Sequence, residues 1–293
     1  MLKSIVMVTI AVAQLNTVET AYQEHLAYES VGNGIVSAAT ADVWGAPAAA
    51  GQAYVLMQAE SGHPTLIRFI QAQPPASYAP MLTDGWNATE LLSTDPDAIA
   101  ERLVDSPFRI VGPPADLWDA PNAPRAMQAI GPGNELLYLT RNDDFVIETL
   151  VDRVFIMVLG GPSMDAFKDF YGDRLGLTVS PPTPFSIGVL SRAQKMPADT
   201  KYPLAIASLA GPFLLELDEY PRGATQPRER RTGELPPGVA MVSFSVADLD
   251  ALKLDFRGAP TRLTEAPYAG ATVAVTVGPA GEWLEFVESA EDD

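Results

Sequence analysis

The chain has 293 residues, a formal net charge of −18, a hydrophobic content of 47% and no cysteine. That length allows two ordinary domains with filled cores. The lack of thiols excludes disulfide frameworks, cysteine nucleophiles and thiolate-bound metals. The acidic excess opposes binding to nucleic acid or to anionic membranes, which requires clustered Lys and Arg. Basic residues between 222 and 231 lie in a Pro- and Gly-rich segment that we interpret as a solvated linker.

Residues 2–13 admit two interpretations. An apolar run that follows Lys3 and ends at small residues is typical of a secretory signal peptide. The same run alternates, is rich in Val and Ile, and supplies a strand that the first repeat would otherwise lack. We therefore predict a strand and a cytoplasmic protein. The sequence contains no run of about 18 apolar residues, so neither a membrane-spanning helix nor a membrane partner is expected.

Four stretches of the chain show the same order of predicted elements: an alternating apolar strand, an amphipathic helix and a final strand. The opening strands are predicted at residues 5–12, 87–93, 153–158 and 241–246, and the closing strands at 66–70, 135–139, 214–218 and 283–287. In the first unit, Val18, Tyr22 and Leu26 lie on one helical face. In the other units, Asp95, Ser163 and Asp248 precede residues with helical spacing and are predicted N-caps.

The spacing of equivalent positions predicts a duplication. The units span 61, 49, 63 and 44 residues, counted from Met7 to Arg68, Ala88 to Leu137, Arg153 to Glu216 and Met241 to Glu285. Long and short units alternate, which indicates a two-unit ancestor duplicated once. We therefore predict one domain over residues 1–141 and a second over residues 150–290, each built from two βαβββ units. Each unit is predicted to contain one helix and several strands, which places the fold in the α+β class with helices on one side of a curved sheet.

Residues 170–177 read Phe-Tyr-Gly-Asp-Arg-Leu-Gly-Leu, and residues 151–156, 242–250 and 282–288 surround them with apolar strands. Together these segments resemble the vicinal oxygen chelate superfamily, which includes glyoxalases, extradiol dioxygenases and bleomycin-resistance proteins. The resemblance is closest over the third and fourth units. It implies that two units pair to form a cup-shaped sheet. His, Glu or Gln side chains from the opening and closing strands then hold a divalent metal inside the cup.

The resemblance also implies which residues stand at the metal-ligand positions. They would be Met7, Arg68, Ala88 and Leu137 in the first domain, and Arg153, Glu216, Met241 and Glu285 in the second. The first set offers no metal donor. In the second set, two carboxylates could hold a divalent ion, but Arg153 brings a fixed positive charge to the same place. We expect Arg153 to pair with Glu216 or Glu285 and to replace the metal. No cofactor is expected, and a bound divalent ion is the alternative.

Strand alternation predicts the side chains that line each cup. The second cup is expected to present Phe155, Met157, Met241, Ser243, Ser245 and Trp283 beside its charged residues. The first is expected to present Thr9 beside Arg68, with Glu90 from the second unit. Such mixed walls predict a small, partly apolar organic ligand in the second cup. The alternative is that these side chains simply fill the cup.

Three functions are consistent with these residues. The first is metal-independent binding of a small organic molecule, in the manner of the bleomycin-resistance proteins that the chain resembles. The second is catalysis. A lyase, isomerase or hydrolase would use Glu216 or Glu285 as general base and Arg153 as oxyanion stabiliser, whereas a metal-dependent dioxygenase or lyase would need an atypical site. The third is an inert scaffold with filled cups. A homodimer is left open.

Overall fold

The computed structural model describes residues 2–75, 77–229 and 231–289, and the four predicted units are present in it. Each opening strand and each closing strand lies where the alternation of apolar residues predicts it. The first unit contains β1 (Leu2–Val12), α1 (Leu15–Leu26), β2 (Tyr28–Ile35), α2 (Ala38–Trp44), β3 (Ala53–Ala59) and β4 (Leu66–Gln71). The second contains β5 (Gly85–Ser93), α3 (Pro96–Arg102), β6 (Arg109–Asp116), β7 (Arg125–Ile130) and β8 (Leu136–Arg141).

The third and fourth units follow the same order. The third contains β9 (Val151–Gly161), α4 (Met164–Phe167), a π-helical turn (Lys168–Arg174), β10 (Thr178–Val179), β11 (Thr183–Phe185), α5 (Gly188–Ala193), β12 (Tyr202–Ser208) and β13 (Leu214–Glu219). The fourth contains β14 (Gly238–Val246), a short 3-10 turn (Asp250–Leu252), β15 (Thr261–Arg262), β16 (Thr272–Val277) and β17 (Trp283–Glu288). Among the described residues, none of the helices combines the length and apolar character that crossing a membrane would require.

Two of the predicted helix starts are confirmed and one is wrong. Asp95 accepts hydrogen bonds from the backbone nitrogens of Asp97 and Ala98 at 3.0 and 3.1 Å, and Ser163 caps α4 in the same way. Asp248 also accepts two backbone hydrogen bonds, but only the 3-10 turn follows it. The turn ends because Lys253 adopts the left-handed conformation, with φ of 50°. The fourth unit therefore lacks the full helix expected of a βαβββ repeat.

The strands form two curled sheets whose composition differs from the prediction. One sheet has the strand order β15-β16-β17-β14-β1-β4-β3-β2, and the other has β10-β12-β13-β9-β5-β8-β7-β6, with β11 paired to β12. Here β1 pairs antiparallel with β14, and β5 with β9. Units 1 and 4 therefore share one cup, named the 1/4 cup, and units 2 and 3 share the other, named the 2/3 cup. The α+β class is confirmed.

The expected pairing of units within each half of the chain is wrong. Alternation along a strand fixes which side chains share a face, but it does not fix which strand lies alongside. The alternation alone would allow β1 to pair with either β5 or β14, and in the structure it pairs with β14. The derivation of residues 1–141 and 150–290 from a duplicated ancestor stays a prediction.

The faces of the two sheets that point away from the cups share one apolar core with α1 and α4. Tyr22 and Phe167 from these helices are fully buried in it. Trp86 of β5 contacts the ring of Phe244 of β14 at 6.2 Å between centroids, and its indole nitrogen donates to the carbonyl of Trp283 at 2.8 Å. The two cups therefore open on opposite sides of a common centre.

Two buried tyrosine–glutamate hydrogen bonds stand at matching places in the two halves. Tyr22 of α1 donates to Glu135 at 3.0 Å, and Tyr171, in the helical turn after α4, donates to Glu282 at 2.8 Å. Each glutamate closes a tight turn that begins with glycine. A β-carbon at Gly131 would lie 1.9 Å from an oxygen of Glu135, and the same holds for Gly278 and Glu282. The first bond joins units 1 and 2, and the second joins units 3 and 4.

Most described residues of the segment from 222 to 231 are exposed, as expected of a solvated linker, but Arg228 is an exception. Arg228 is 8% exposed and donates to the carbonyls of Trp86 and Val239, and its guanidinium lies 5.4 Å from the ring centroid of Tyr78. A buried guanidinium that satisfies several carbonyls fixes the crossing between the sheets. Arg230 lies outside the described residues.

Candidate functional site

The register of the parallel strand pairs identifies the central position of each unit. In every unit the opening strand runs beside the closing strand, so that one residue from each strand faces its neighbour within the cup. The pairs are Thr9 with Arg68, Glu90 with Tyr138, Val158 with Glu216, and Ser243 with Glu285. Arg68, Glu216 and Glu285 are residues that the sequence placed at these positions. The other predicted residues precede the central residue of their strand. The offset is two residues for Met7, Ala88 and Met241, one residue for Leu137 and five residues for Arg153.

A buried ion pair occupies the centre of the 1/4 cup. Arg68 is 1% exposed and Glu285 is 0% exposed, and their closest nitrogen and oxygen are 3.7 Å apart. Two guanidinium nitrogens of Arg68 donate to the Thr9 hydroxyl at 3.1 and 2.8 Å, and a third donates to Tyr268 at 2.8 Å. Burial alone would lower the pKa of Arg68, but Tyr268 and Glu285 raise it above its ordinary value. The guanidinium therefore stays charged in this interior.

The carboxylate of the ion pair is also fully hydrogen-bonded. Glu285 accepts from the indole nitrogen of Trp44 and from the Tyr268 hydroxyl, both at 2.7 Å, and from the Ser243 hydroxyl. Trp44, which ends α2, is itself fully buried among apolar side chains of the cup that include Met241. The cup is therefore filled by its own side chains and holds no open binding site at this position.

The divalent metal that the fold family implies does not fit the 1/4 cup. Of its four central residues, only Glu285 is a usual metal ligand, and its oxygens already accept hydrogen bonds. Arg68 places a permanent positive charge where the cation would bind. The guanidinium that pairs with Glu285 belongs to Arg68, and not to Arg153 as expected from the sequence.

The 2/3 cup encloses a cavity of about 600 Å³. Its polar side chains include Glu90 from β5, Asp116 from β6, Gln128 from β7, Tyr138 and Thr140 from β8, Arg192 from α5 and Glu216 from β13. Apolar and aromatic side chains make most of the remaining wall, among them Trp118, Phe155, Ile156, Phe185, Ile187 and Leu204. Helix α5 lies over this cup as α2 lies over the other, but here the centre stays open.

Three carboxyl groups lie together at the bottom of the 2/3 cup, and we name Glu90, Glu216 and Asp218 the acidic floor. Glu90 is 4% exposed and accepts a hydrogen bond from Thr140 at 2.6 Å. Glu216 is half-buried and lines the cavity. Asp218 is 1% exposed, and neither of its carboxyl oxygens has a hydrogen-bond partner among the described residues. None of the three forms an ion pair within the described part of the chain.

Burial away from water raises the pKa of all three carboxyl groups, so they stay protonated to a higher pH than exposed carboxyl groups do. Burial raises the pKa of Glu90 to about 7, although the hydrogen bond from Thr140 opposes the rise. Burial also raises the pKa of Asp218 to about 8, and the negative charge of Glu90 adds to the effect. Burial, with the charges of Asp218 and Glu90, raises the pKa of Glu216 well above its ordinary value. The acidic floor is thus partly protonated near neutral pH and accepts a positive charge readily.

A metal of the family's kind does not fit the 2/3 cup either. Two of its four central residues, Tyr138 and Val158, are not usual divalent-metal ligands. Among the described residues, no group of three or more His, Cys, Asp and Glu side chains is placed to hold a metal ion.

The predicted pairing of Arg153 with Glu216 or Glu285 is wrong. Its guanidinium lies 2.8 Å from the carboxylate of Asp152 and 5.9 Å from the ring centroid of Phe145, outside the wall of the cavity. A β-bulge explains the error. Opposite β5, Glu90 faces Ile156 and the next residue faces Val154, so Phe155 is an extra residue in β9. The alternation counted from Arg153 towards residue 158 is therefore broken.

The other predicted site residues are divided among several environments. Phe155 lines the cavity of the 2/3 cup. Met157 points the other way, into the core between the sheets, because the bulge shifts the face of β9. Met241, Ser243 and Trp283 belong to the 1/4 cup, where all three are buried. Ser245 lies 2.7 Å from the hydroxyl of Ser4. The single site predicted for the second domain is thus split, because units 3 and 4 face different cups.

Sequence reasoning missed Asp218, Tyr138, Thr140 and Trp118, and its placement of Glu90 in the cup of Arg68 is wrong, because β5 belongs to the other sheet. A signal for Asp218 was present: in Leu-Glu-Leu-Asp-Glu, residues 215–219, alternation puts Glu216 and Asp218 on one face. Trp118 lies in the β6–β7 connection, where no periodicity is available. Its place in the cavity wall could not be predicted.

Comparisons with known proteins agree with this architecture. No protein-family model matches the chain, and no curated protein matches it. Glyoxalase I from Zea mays is similar in structure, with a TM-score of 0.66 and 16% identity over 97% of this chain and 92% of that chain. A Bacillus subtilis protein assigned as a dioxygenase has a TM-score of 0.65 and 11% identity over 99% of this chain and 86% of that one. The chain therefore has the two-cup fold of glyoxalase-like proteins, and its resemblance to the vicinal oxygen chelate superfamily is confirmed at the level of fold.

Proposed function

We propose that the protein binds a small, largely apolar organic molecule in the 2/3 cup, without a metal ion. The observation that carries the proposal is the difference between the two cups. One is filled by Trp44, Arg68 and Glu285, and the other holds an open cavity of about 600 Å³ at the equivalent place. Ligand sites in proteins have volumes of about 300–1,000 Å³ and are mostly apolar with a few convergent polar groups.

The wall of the cavity favours a flat or aromatic ligand. Trp118, Phe155 and Phe185 contribute ring faces and edges, and Ile156 and Leu204 contribute aliphatic surface. Aromatic side chains bury a large area and pair well with other rings. Trp118 is 51% exposed although it lines the cavity, so a ligand would cover apolar surface that now contacts solvent.

An enzyme that uses acid–base chemistry in the same cup is the second candidate. Burial brings the pKa of Glu90 to about 7, where a carboxyl group can both accept and donate a proton under ordinary conditions. The oxyanion stabiliser proposed from the sequence is missing, because Arg153 lies outside the cavity. Arg192 lines the cavity, but one guanidinium nitrogen is already 2.7 Å from the carbonyl of Val111. Acid–base catalysis would therefore have to use Arg192, which is partly engaged with the backbone, as the partner of a developing negative charge, and binding is the better-supported function.

A fluorescent probe tests the binding proposal directly. The neutral, apolar dye N-phenyl-1-naphthylamine is expected to bind one site per chain, with enhanced emission that is unchanged after dialysis against EDTA. Ile156→Trp should fill the cavity and lower the affinity at least tenfold, whereas Ile35→Trp, at a position 60% exposed on β2, is the matched control and should bind as the native protein does. No binding by the native protein, or equal binding by Ile156→Trp, would overturn the proposal.

A further inference from the structure

The acidic floor of the 2/3 cup lacks the positive charge that its counterpart has. In the 1/4 cup, Glu285 lies 3.7 Å from the guanidinium of Arg68. By strand register, Glu216 and Tyr138 are the central closing-strand residues of the 2/3 cup, as Arg68 and Glu285 are those of the 1/4 cup. Each cup therefore has a carboxylate at one closing-strand position, but only in the filled cup does the other closing strand supply a guanidinium.

Within the described residues, no basic side chain forms an ion pair with the acidic floor, and Arg192, which lines the same cavity, donates to the carbonyl of Val111 at 2.7 Å. Tyr138 faces the acidic floor from β8, and Tyr202 and Tyr220 face the same cup from β12 and from the residue after β13. The hydroxyl of Tyr220 is buried without a hydrogen-bond partner among the described residues, as are both oxygens of Asp218. A buried carboxyl group without a partner is costly, so its presence points to a group that arrives from outside.

We propose that the ligand of this cup carries a protonated amine, which binds at the acidic floor while an apolar body occupies the cavity above it. This inference rests on the proposed binding function and names the class of molecule: an aromatic or otherwise apolar ammonium compound. The ammonium supplies the positive charge that Arg68 supplies in the 1/4 cup, and it binds Glu216 and Glu90, which both line the cavity. The rings of Trp118, Phe155 and Phe185 hold the apolar part.

A metal ion would also bring positive charge, but the cup suits an organic cation better. The cavity wall contains the three carboxyl groups of Glu90, Asp116 and Glu216, but in the described part of the chain they do not form a group placed to hold a metal ion, and Mg²⁺ or Ca²⁺ takes six or more oxygen ligands. An ammonium group needs only two or three acceptors, and its hydrocarbon part gains from the apolar wall. The cavity wall combines these carboxyl groups with apolar side chains, which matches a molecule with one charged end and an apolar body.

Three naphthalene compounds with the same ring system test the charge requirement: 1-naphthylmethylamine, 1-naphthalenemethanol and 1-naphthoic acid. By isothermal titration at pH 8 on the full chain, the amine should bind at least tenfold more tightly than the alcohol, and the acid should bind weakest. At pH 7, binding of the amine should release protons from the carboxyl groups. The measured heat should then depend on the ionisation enthalpy of the buffer, whereas the heat for the alcohol should not.

Charge-removing variants identify the groups that respond. Glu216→Gln should lower the affinity for the amine at least tenfold and leave the affinity for the alcohol within twofold, and Glu90→Gln should act in the same direction. Glu101→Gln, on the exposed face of α3, is the matched control and should bind all three compounds as the native protein does. Circular dichroism of each variant verifies the fold before titration.

The outcomes separate the two proposals. If the alcohol or the acid binds as tightly as the amine, the cationic ligand is wrong while the apolar site stands. If Glu216→Gln folds and binds the amine unchanged, the acidic floor is not the recognition element. If neither N-phenyl-1-naphthylamine nor any of the three compounds binds, the binding function and the inference fall together. If Mn²⁺ competes with the amine and Glu216→Gln removes the competition, the floor is a metal site and the inference is overturned.

Discussion

Replacement of Arg68 by methionine should destabilise the protein strongly, because it leaves Glu285 as an unpaired charge in the 1/4 cup. The guanidinium is 1% exposed and the carboxylate is 0% exposed, so water cannot take over the role of either partner. Removing one member of a buried ion pair costs about 3–5 kcal/mol. For a domain somewhat smaller than this chain, each kcal/mol lowers Tm by about 2–4 °C. We therefore expect Tm to fall by roughly 6–20 °C.

The matched control is a surface ion pair with a shorter contact distance. Arg125 lies 2.6 Å from Asp97 and 3.0 Å from Asp116, closer than the 3.7 Å between Arg68 and Glu285. Its acidic partners are more than half exposed, however, and exposed ion pairs contribute about 0–1 kcal/mol. Arg125→Met should therefore cost at most about 1 kcal/mol, although the contact is shorter. The loss of stability is thus expected to depend on the burial of the ion pair and not on the distance between its charged atoms.

A double variant separates loss of charge balance from loss of packing. Arg68→Met combined with Glu285→Gln removes both charges and keeps an oxygen that can accept from Trp44. It should be more stable than Arg68→Met alone, since no uncompensated charge remains. Urea unfolding at pH 7, followed by tryptophan fluorescence and circular dichroism, measures all four proteins. Equal losses for Arg68→Met and Arg125→Met would refute the reasoning that a guanidinium holds the centre of this cup together.

Two further predictions concern the 2/3 cup. Burial raises the pKa of Glu90 from 4.5 to about 7, so the folded protein holds this proton more tightly than the unfolded chain does. The contribution of the bound proton to the free energy of unfolding is therefore fully present below pH 4.5 and is lost as the pH rises through 7. Glu90→Gln, which resembles the protonated form, should therefore gain on the order of 3 kcal/mol relative to the native protein between pH 4 and pH 8 in urea unfolding, and parallel pH profiles would contradict this. Added Zn²⁺, Mn²⁺ or Mg²⁺ should shift Tm by less than about 1 °C. A real metal site would shift it further, because a metal at 100 times its Kd adds about 2.7 kcal/mol to the free energy of unfolding. A larger rise in Tm that Glu216→Gln abolishes would show a metal site.

The sequence predicted the strands well because their signal is local. Alternation at 5–12 and 241–246, with Val and Ile on the buried face, is a property of the segment itself, and both segments are strands in the structure. Their partnership is not local. Both β1 and β14 offer apolar faces of the same kind, and their pairing depends on how the two sheets share one core. The incorrect composition of the cups follows from that limit.

Site residues were predicted where the strands are regular and missed where they are not. Arg68, Glu216 and Glu285 lie on closing strands that pair without bulges, and each faces a cup. Arg153 lies beyond the bulge at Phe155, which no property of the sequence 151–158 marks. The longer first and third units did carry a hint, since their extra residues include α2 and α5, the helices that lie over the cups. Whether such a helix fills the cup depends on single side chains such as Trp44.

The crossed arrangement of the units makes the two halves of the chain dependent on each other. A fragment that ended at residue 141 would leave β1 and β5 with open edges, because their partners β14 and β9 come from the second half. Such edges invite pairing with another chain. The halves expressed separately should therefore reassemble with each other, or exchange strands between copies, rather than fold alone. Joined in one polypeptide, the two halves cover these edges, because each cup takes one unit from each half of the chain.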